Sequence, residues 1–273
     1  MFIIIHHQLI FKDNMEHQTK KLIIKNELSF LIDNKGKELQ SLSTKKLLFD
    51  GHIFTAKEFS CDKLIIEIIT AVCIYGGNGC ILLAKVDGAK AYASFKGAKA
   101  HALVKGAHAY AIVEGSHAYA DAKDTIAHAI AEGSHAYATA QGAYAYAEIR
   151  FSYAYAKGRF SYAYAIGIAS KAYAEAYRSY AYAMEEEAIA YAMGKYSVAY
   201  AMKNHTYAYA ENYGSHVYAE AENSYAYVSY ERSYGYARAN KSYVYLVAED
   251  AHGYSLTPGA SIIKYEHNDY LWE

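Results

Sequence analysis

Proline and tryptophan each occur once in these 273 residues, and cysteine three times. Each scarcity excludes something. With Pro258 as the only proline, and that near the C-terminal end, no other residue lacks the backbone donor that a sheet ladder needs. Cys61, Cys73 and Cys80 are odd in number, lack CxxC spacing and sit among apolar neighbours. A disulfide framework or zinc site is therefore not expected, and buried reduced thiols are. No apolar run approaches the ~18 residues of a membrane-spanning helix. Neither sign of charge dominates: 27 Lys and Arg face 28 Asp and Glu, a net charge of −1, so no general attraction to nucleic acid or to anionic membranes is expected.

Signatures of catalysis are missing too. The chain contains no GxSxG, HExxH, GxxxxGK[ST] or GxGxxG motif, so no enzyme and no cofactor is expected. Before the polar stretch that starts at His6, the apolar patch Phe2 to Ile5 is too short for a signal-peptide core and has no basic flank. Export through a cleaved leader is not expected, which leaves cytoplasmic, virion-associated or non-classically exported locations open. Met15 offers a second start.

What the chain has in excess is tyrosine: 32, against nine Phe. The excess comes from a nine-residue repeat that begins at Gly88 and runs without insertion or deletion to Pro258, nineteen units in all. Units such as GSHAYATAQ and FSYAYAKGR show the pattern: a turn residue, Ala or Ser, a variable residue, Ala-Tyr-Ala, then three variable positions. Position 2 is Ala, Ser or Thr in every unit, and position 5 is Tyr in seventeen, the exceptions being His101 and His128.

Small residues at positions 2, 4 and 6 alternate with large ones at 3 and 5, the period-two mark of a strand with two different faces. Nine is odd, so the phase must reset once per unit, and Gly or polar residues at positions 9 and 1 supply the corner. A helix is excluded despite the alanine content, because spacing by two does not build a stripe of period 3.6. A short strand with a corner buries nothing alone, so units must stack. The reading is an all-β fold: a parallel β-solenoid, flattened into a two-sheet roll, with two units per 18-residue turn. Nine-residue rolls that bind calcium share this plan, but their acidic ligands are missing here. The core is thin Ala and Ser, and Tyr points out. The inverse arrangement would bury lysines such as Lys90, Lys99 and Lys171 at several kcal/mol each.

Three segments are expected: an N-terminal β-rich cap over residues 1–60, the solenoid over 61–258, and a C-terminal cap over 259–273. Residues 61–87 are expected to be earlier rungs in the same nine-residue frame, with larger inner side chains. Within the first segment, 21–24 and 28–32 read as a strand pair, followed by the turn residues Asn34, Lys35 and Gly36.

Stacking puts residues 18 apart above each other. One face then carries Tyr119, Tyr137, Tyr155, Tyr173, Tyr191, Tyr209 and Tyr227 in a column, continued by Tyr245. The other carries Tyr110, Tyr146, Tyr164, Tyr182 and Tyr200, continued by Tyr218, Tyr236 and Tyr254 and interrupted by His128. These two columns are the candidate binding surface, since contiguous exposed aromatic area usually marks an interaction site. The expected role is a non-catalytic structural or adhesive element, a rod or fibre component that self-associates into a homo-oligomer or filament through its Tyr faces. The alternatives are a glycan-binding module with sugars lying on the rings, and, least favoured, a hydrolase or lyase in a solenoid groove. His117 and His135, beside Lys99 and His101, read as ordinary surface positions, and no metal site is expected.

Units such as Gly115-Ser116-His117-Ala118-Tyr119-Ala120 and Gly133-Ser134-His135-Ala136-Tyr137-Ala138 resemble the Ser-x-Ala-x-Gly repeats in head domains of trimeric autotransporter adhesins. The frame over 79–258 also resembles Tyr/Ala-rich repeats of phage and bacterial proteins. The resemblance implies a parallel β-roll and, for the adhesins, a surface role. No heptad stalk is legible, and the period here is nine.

Overall fold

The computed structural model describes residues 19–25, 28–32, 38–43, 53–55, 57, 61–70 and 72–264. Among them are 27 strands and no helix. None of the described residues therefore forms a helix long and apolar enough to cross a membrane. The strands before the regular repeat are β1 (Thr19–Lys25), β2 (Leu28–Ile32), β3 (Glu38–Ser43), β4 (Ile53–Phe54), β5 (Lys63–Ile68), β6 (Cys73–Gly76) and β7 (Cys80–Ala84). Each of the nineteen repeat units then contributes one four-residue strand, from β8 (Lys90–Ala93) to β26 (His252–Ser255), and β27 (Ser261–Lys264) adds one more.

Odd-numbered strands from β5 onward pair in one parallel sheet and even-numbered strands in a second, so the chain crosses between sheets at every corner. This is the expected solenoid of two nine-residue units per turn. At the N-terminal end β1 pairs in parallel with β5, and an antiparallel run through β2 and β3 extends the first sheet to fifteen strands. The hairpin expected over 21–24 and 28–32 is thus present, while 34–36 lie outside the described residues. At the other end, 262–264 fall within β27, one further parallel rung on β25 (Tyr243–Leu246). Residues 265–273, the rest of the expected C-terminal cap, lie outside the described residues, as do 1–18.

Burial follows the alternation. Strand after strand shows inner positions 4 and 6 buried and outer positions 3 and 5 half-buried, the same pattern from β8 through β25 except at Lys99, which is exposed. Each inner Ala removes only a methyl group from water, about 0.8 kcal/mol, so backbone ladders carry much of the cohesion. Toward the N-terminus the core thickens as expected, with Leu22, Ile24, Phe54, Leu64, Ile66, Ile68 and Leu82 all essentially inaccessible.

Thirteen hydroxyls at position 2 are also fully buried, and the corner satisfies them. Ser116 Oγ donates to the carbonyl of Val113, three residues back, at 2.6 Å. Ser134, Ser152 and Ser242 repeat the bond at the same length. Ser215 and Ser233 instead reach a corner carbonyl one rung below. A buried hydroxyl with its own turn carbonyl as partner escapes the desolvation cost of an unpaired one. This explains why Ser substitutes for Ala at position 2.

The corner itself is a four-residue turn across positions 8, 9, 1 and 2, closed by the position-2 N–H on the position-8 carbonyl. From Gly79 to Lys241 the residue at position 1 has φ between +52° and +79°. A left-handed third residue is what a type II turn requires. Only some of these residues are glycine: Phe151, Phe160, Arg178, Tyr196 and seven others hold the same conformation. The stacked register compensates, because the position-1 N–H donates to a corner carbonyl of the next rung, as from Tyr196 to Tyr213 at 3.1 Å.

Two expectations need correction. Residues 61–78 do not keep the nine-residue frame: Leu64 pairs with Cys80, sixteen residues on, and Cys73 with Lys90, seventeen on, whereas Ile81 and Lys99 show the regular eighteen. The earliest corners are shorter, as large Leu and Ile side chains replace the close-packed Ala core that enforces the later register. The thiols differ as well. Only Cys80 is buried, its Sγ hydrogen-bonded to the Phe54 carbonyl at 3.0 Å, while Cys73 is exposed.

Candidate functional site

Position 5 projects from the outer side of each strand, and parallel pairing without a slip from β7 onward stacks one ring on the next. On the fifteen-stranded sheet, Tyr119, Tyr137, Tyr155, Tyr173, Tyr191, Tyr209 and Tyr227 stand in line with centroids 4.8 to 5.0 Å apart, Tyr245 included. His101 opens this column 4.5 Å from Tyr119. It has nine rings.

On the twelve-stranded sheet, Tyr110, Tyr146, Tyr164, Tyr182 and Tyr200 belong to a column of eleven. Tyr75 and Tyr92 extend it at one end, and Tyr218, Tyr236 and Tyr254 at the other. The expected interruption at His128 is corrected: its ring stacks 4.6 Å from Tyr110 and 5.3 Å from Tyr146. An imidazole is flat and aromatic, so it fills the place of a phenol. Tyr75 escaped the sequence reading because it lies outside the nine-residue frame. Tyr92, His101 and His128 lay in the frame, and their residue type and spacing were sufficient signal.

Both histidines carry an additional bond that a tyrosine would not make in the same way. His101 Nδ1 lies 2.6 Å from Asp121 Oδ2 and His128 Nδ1 is hydrogen-bonded to Glu148, each carboxylate standing twenty residues on, on the adjacent rung. Position 3 forms shorter stacks, broken by Lys171, Ile189, Ile126 and Val198. One such stack is His117, His135 and Tyr153, with spacings of 5.1 and 4.8 Å. The Nδ1 atoms of His108, His117 and His135 are buried and have no hydrogen-bond partner. Burial holds all three rings below the usual imidazole range. Among the described residues, no group of three His, Cys, Asp or Glu converges to hold a metal ion.

The orientation of the rings decides what the columns can contact. Successive planes in the two long columns are within 4° to 17° of parallel. Each ring therefore covers the faces of its neighbours, and the column shows solvent its ring edges and hydroxyls. A glycan lying on ring faces, as the sequence reading allowed, finds those faces already occupied except at column ends. The phenols are also hard to ionise. Burial, and then the neighbouring phenols, push Tyr164 and Tyr173 up to about 12. At neutral pH each rung thus offers an uncharged hydroxyl, donor and acceptor in one group. Cations lie against the columns at few places: Lys157 is 5.1 Å from the Tyr137 ring centroid and Arg238 is 4.5 Å from that of Tyr218.

Comparison with known protein families, curated proteins and solved structures finds no match to this chain.

Proposed function

We propose that the protein is a non-catalytic structural rod that associates with further copies of itself through its two tyrosine faces. The observation that carries this reading is the pair of continuous columns, nine and eleven rings long, on opposite faces of one parallel solenoid. A row of hydroxyls with the rung pitch, ~4.8 Å, matches an identical row on another copy one to one, with apolar ring edges between. Tyrosine suits such contacts because it supplies large area at low conformational entropy cost and still hydrogen-bonds. The likeness of the Gly-Ser-His-Ala-Tyr-Ala units to adhesin head repeats supports a surface-contact role of the same kind.

Light scattering tests the reading. The wild type is expected to show a mass well above the 30.4 kDa of one chain. Replacing Tyr137, Tyr155 and Tyr173 by Ser lowers that mass, with far-UV circular dichroism confirming that the strands persist. Replacing the same three by Phe keeps the stack and removes only the hydroxyls. Unchanged mass in the Ser variant overturns the reading.

A further inference from the structure

Along the chain the charges look mixed, but over the middle of the rod the 18-residue turn sorts them. Corners leading from the fifteen-stranded to the twelve-stranded sheet all lie on one edge of the rod, and corners leading back lie on the other. Positions 9 and 1 of each corner are the residues that face out.

On the first edge, the seven corners from 105–106 to 213–214 hold Lys105, Lys123, Arg159, Arg178 and Lys195 against the single acid Asp124, and all six are exposed. On the second edge, the seven corners from 114–115 to 222–223 hold Glu114, Glu132, Glu186, Glu187 and Glu222 against Arg150 and the imidazole of His205, again all exposed. Beyond these corners the sorting stops, since Asp87, Glu231, Glu249 and Asp250 stand with Arg232 on the first edge and Lys96 and Lys241 on the second; within them few pairs neutralise either row. Lys105 meets Asp124 at 3.7 Å and Glu222 meets Lys241 at 3.1 Å. Glu175, next to the basic edge, is held by Lys157, and Lys203, next to the acidic edge, by Glu185, each at 3.7 Å. Aromatic side chains line the basic edge between the cations, with Tyr196 edge-on to both Tyr177 and Tyr213 at 5.7 and 5.8 Å. Exposed Phe151 and Ile168 sit on the acidic one.

We propose that rods join side by side, the basic edge of one copy against the acidic edge of the next, to form an open row. The partner is a second copy because the two edges have opposite charge and the same rung pitch, so a parallel alignment brings Lys105, Lys123 and Arg178 to the levels of Glu114, Glu132 and Glu187. Such a contact uses a different patch on each partner and does not close on itself. It leaves both tyrosine faces free. One exposed ion pair contributes little, and a row of them acts together. The proposal rests on the rod reading above but not on its tyrosine contact.

Salt and charge reversal test it. Sedimentation velocity at ~20 mM salt should show association that weakens about tenfold or more by ~500 mM, where screening lengths fall to a few ångströms. Association through tyrosine faces is not weakened by salt in this way. The triple variant Arg159→Glu/Arg178→Glu/Lys195→Glu has two acidic edges, and Glu186→Lys/Glu187→Lys/Glu222→Lys has two basic ones. Each is expected to stay unassociated at its edges when alone, and an equimolar mixture to restore the salt-sensitive complexes. A mixture that fails to restore them overturns the proposal. So does loss of association in the first variant only, combined with salt-sensitive binding of a single-stranded oligonucleotide by the wild type; the basic edge then serves a polyanion. Association that ignores salt and both reversals but is lost on replacing Tyr137, Tyr155 and Tyr173 by Ser sinks the edge contact and leaves the function reading standing.

Discussion

Gly235 in one sheet faces Val244 in the other so closely that a methyl group built on the glycine would lie 2.4 Å from Val244 Cγ1. The relationship recurs: such a group on Gly253 would lie 2.9 Å from Ile262 Cγ2, and Val228 and Leu246 also crowd this end of the core. Where one sheet enlarges an inner residue, the other gives up its methyl group. Gly235→Ala is therefore expected to destabilise by about 1–3 kcal/mol through overpacking. Adding Val244→Ala restores part of the loss, since the two residues share one volume. Urea titrations of the single and double variants measure this, and additive losses contradict it.

Two further glycines separate backbone strain from steric contact. Gly97 has φ +76°, and nothing lies within 4 Å of an added methyl. Gly97→Ala should cost about 1 kcal/mol, the price of a left-handed non-glycine residue. Gly194 lacks the unusual φ, but its added methyl would lie 2.1 Å from the Ala176 carbonyl oxygen on the rung below. Gly194→Ala should therefore cost more than Gly97→Ala, about 2 kcal/mol or above. The opposite order in thermal melts would show that the corners can move apart.

Alkaline titration reads the columns. The folded Tyr164 and Tyr173 titrate at about 12, against about 10 for a free phenol. Between these values the unfolded chain has released protons that the folded chain still holds. Their contribution to stability is thus complete below pH ~10 and lost as pH rises toward 12. The part of the phenolate absorbance that comes from the column rings should rise late and together with loss of the β signal in circular dichroism. A reversible rise to the full phenolate absorbance near pH 10 with the β signal intact would contradict the stacked columns.

Acid should act at the histidines. Burial lowers His108, His117, His135 and His216 below the ordinary imidazole value, with Lys99 adding to the effect at His117. Their contribution is present above pH ~6.5, where the unfolded rings are neutral, and is lost as pH falls below it. The double variant His117→Tyr/His135→Tyr continues the stack of Tyr153 without a titrating ring. Its melting temperature should fall less than that of the wild type between pH 7.5 and pH 5, and equal falls would place the acid sensitivity elsewhere.

Much of this was legible in the residues themselves. Alternation of Ala with Tyr dictates which side of each strand is buried, because a pleated strand turns successive side chains to opposite faces. An odd period forces a corner once per unit, and two units per turn place Tyr119 under Tyr137 and Tyr110 two rungs below Tyr146. The seventeen-residue offset at Cys73 was not legible, because the early corners shorten where large side chains replace alanine. Nor was the role of His128, which as a letter breaks the tyrosine series and as a ring continues it.

The periodicity alone determined the all-β solenoid, its thin core and the residues that face outward, since these depend on steric preferences acting within nine residues. The tertiary structure alone decided what touches what across turns and sheets. It set the fit of Gly235 to Val244, the near-parallel rings that hide each other's faces, and the sorting of corner charges onto two edges. These depend on how side chains from different strands meet once the 18-residue turn has closed, and neither composition nor local alternation specifies those contacts.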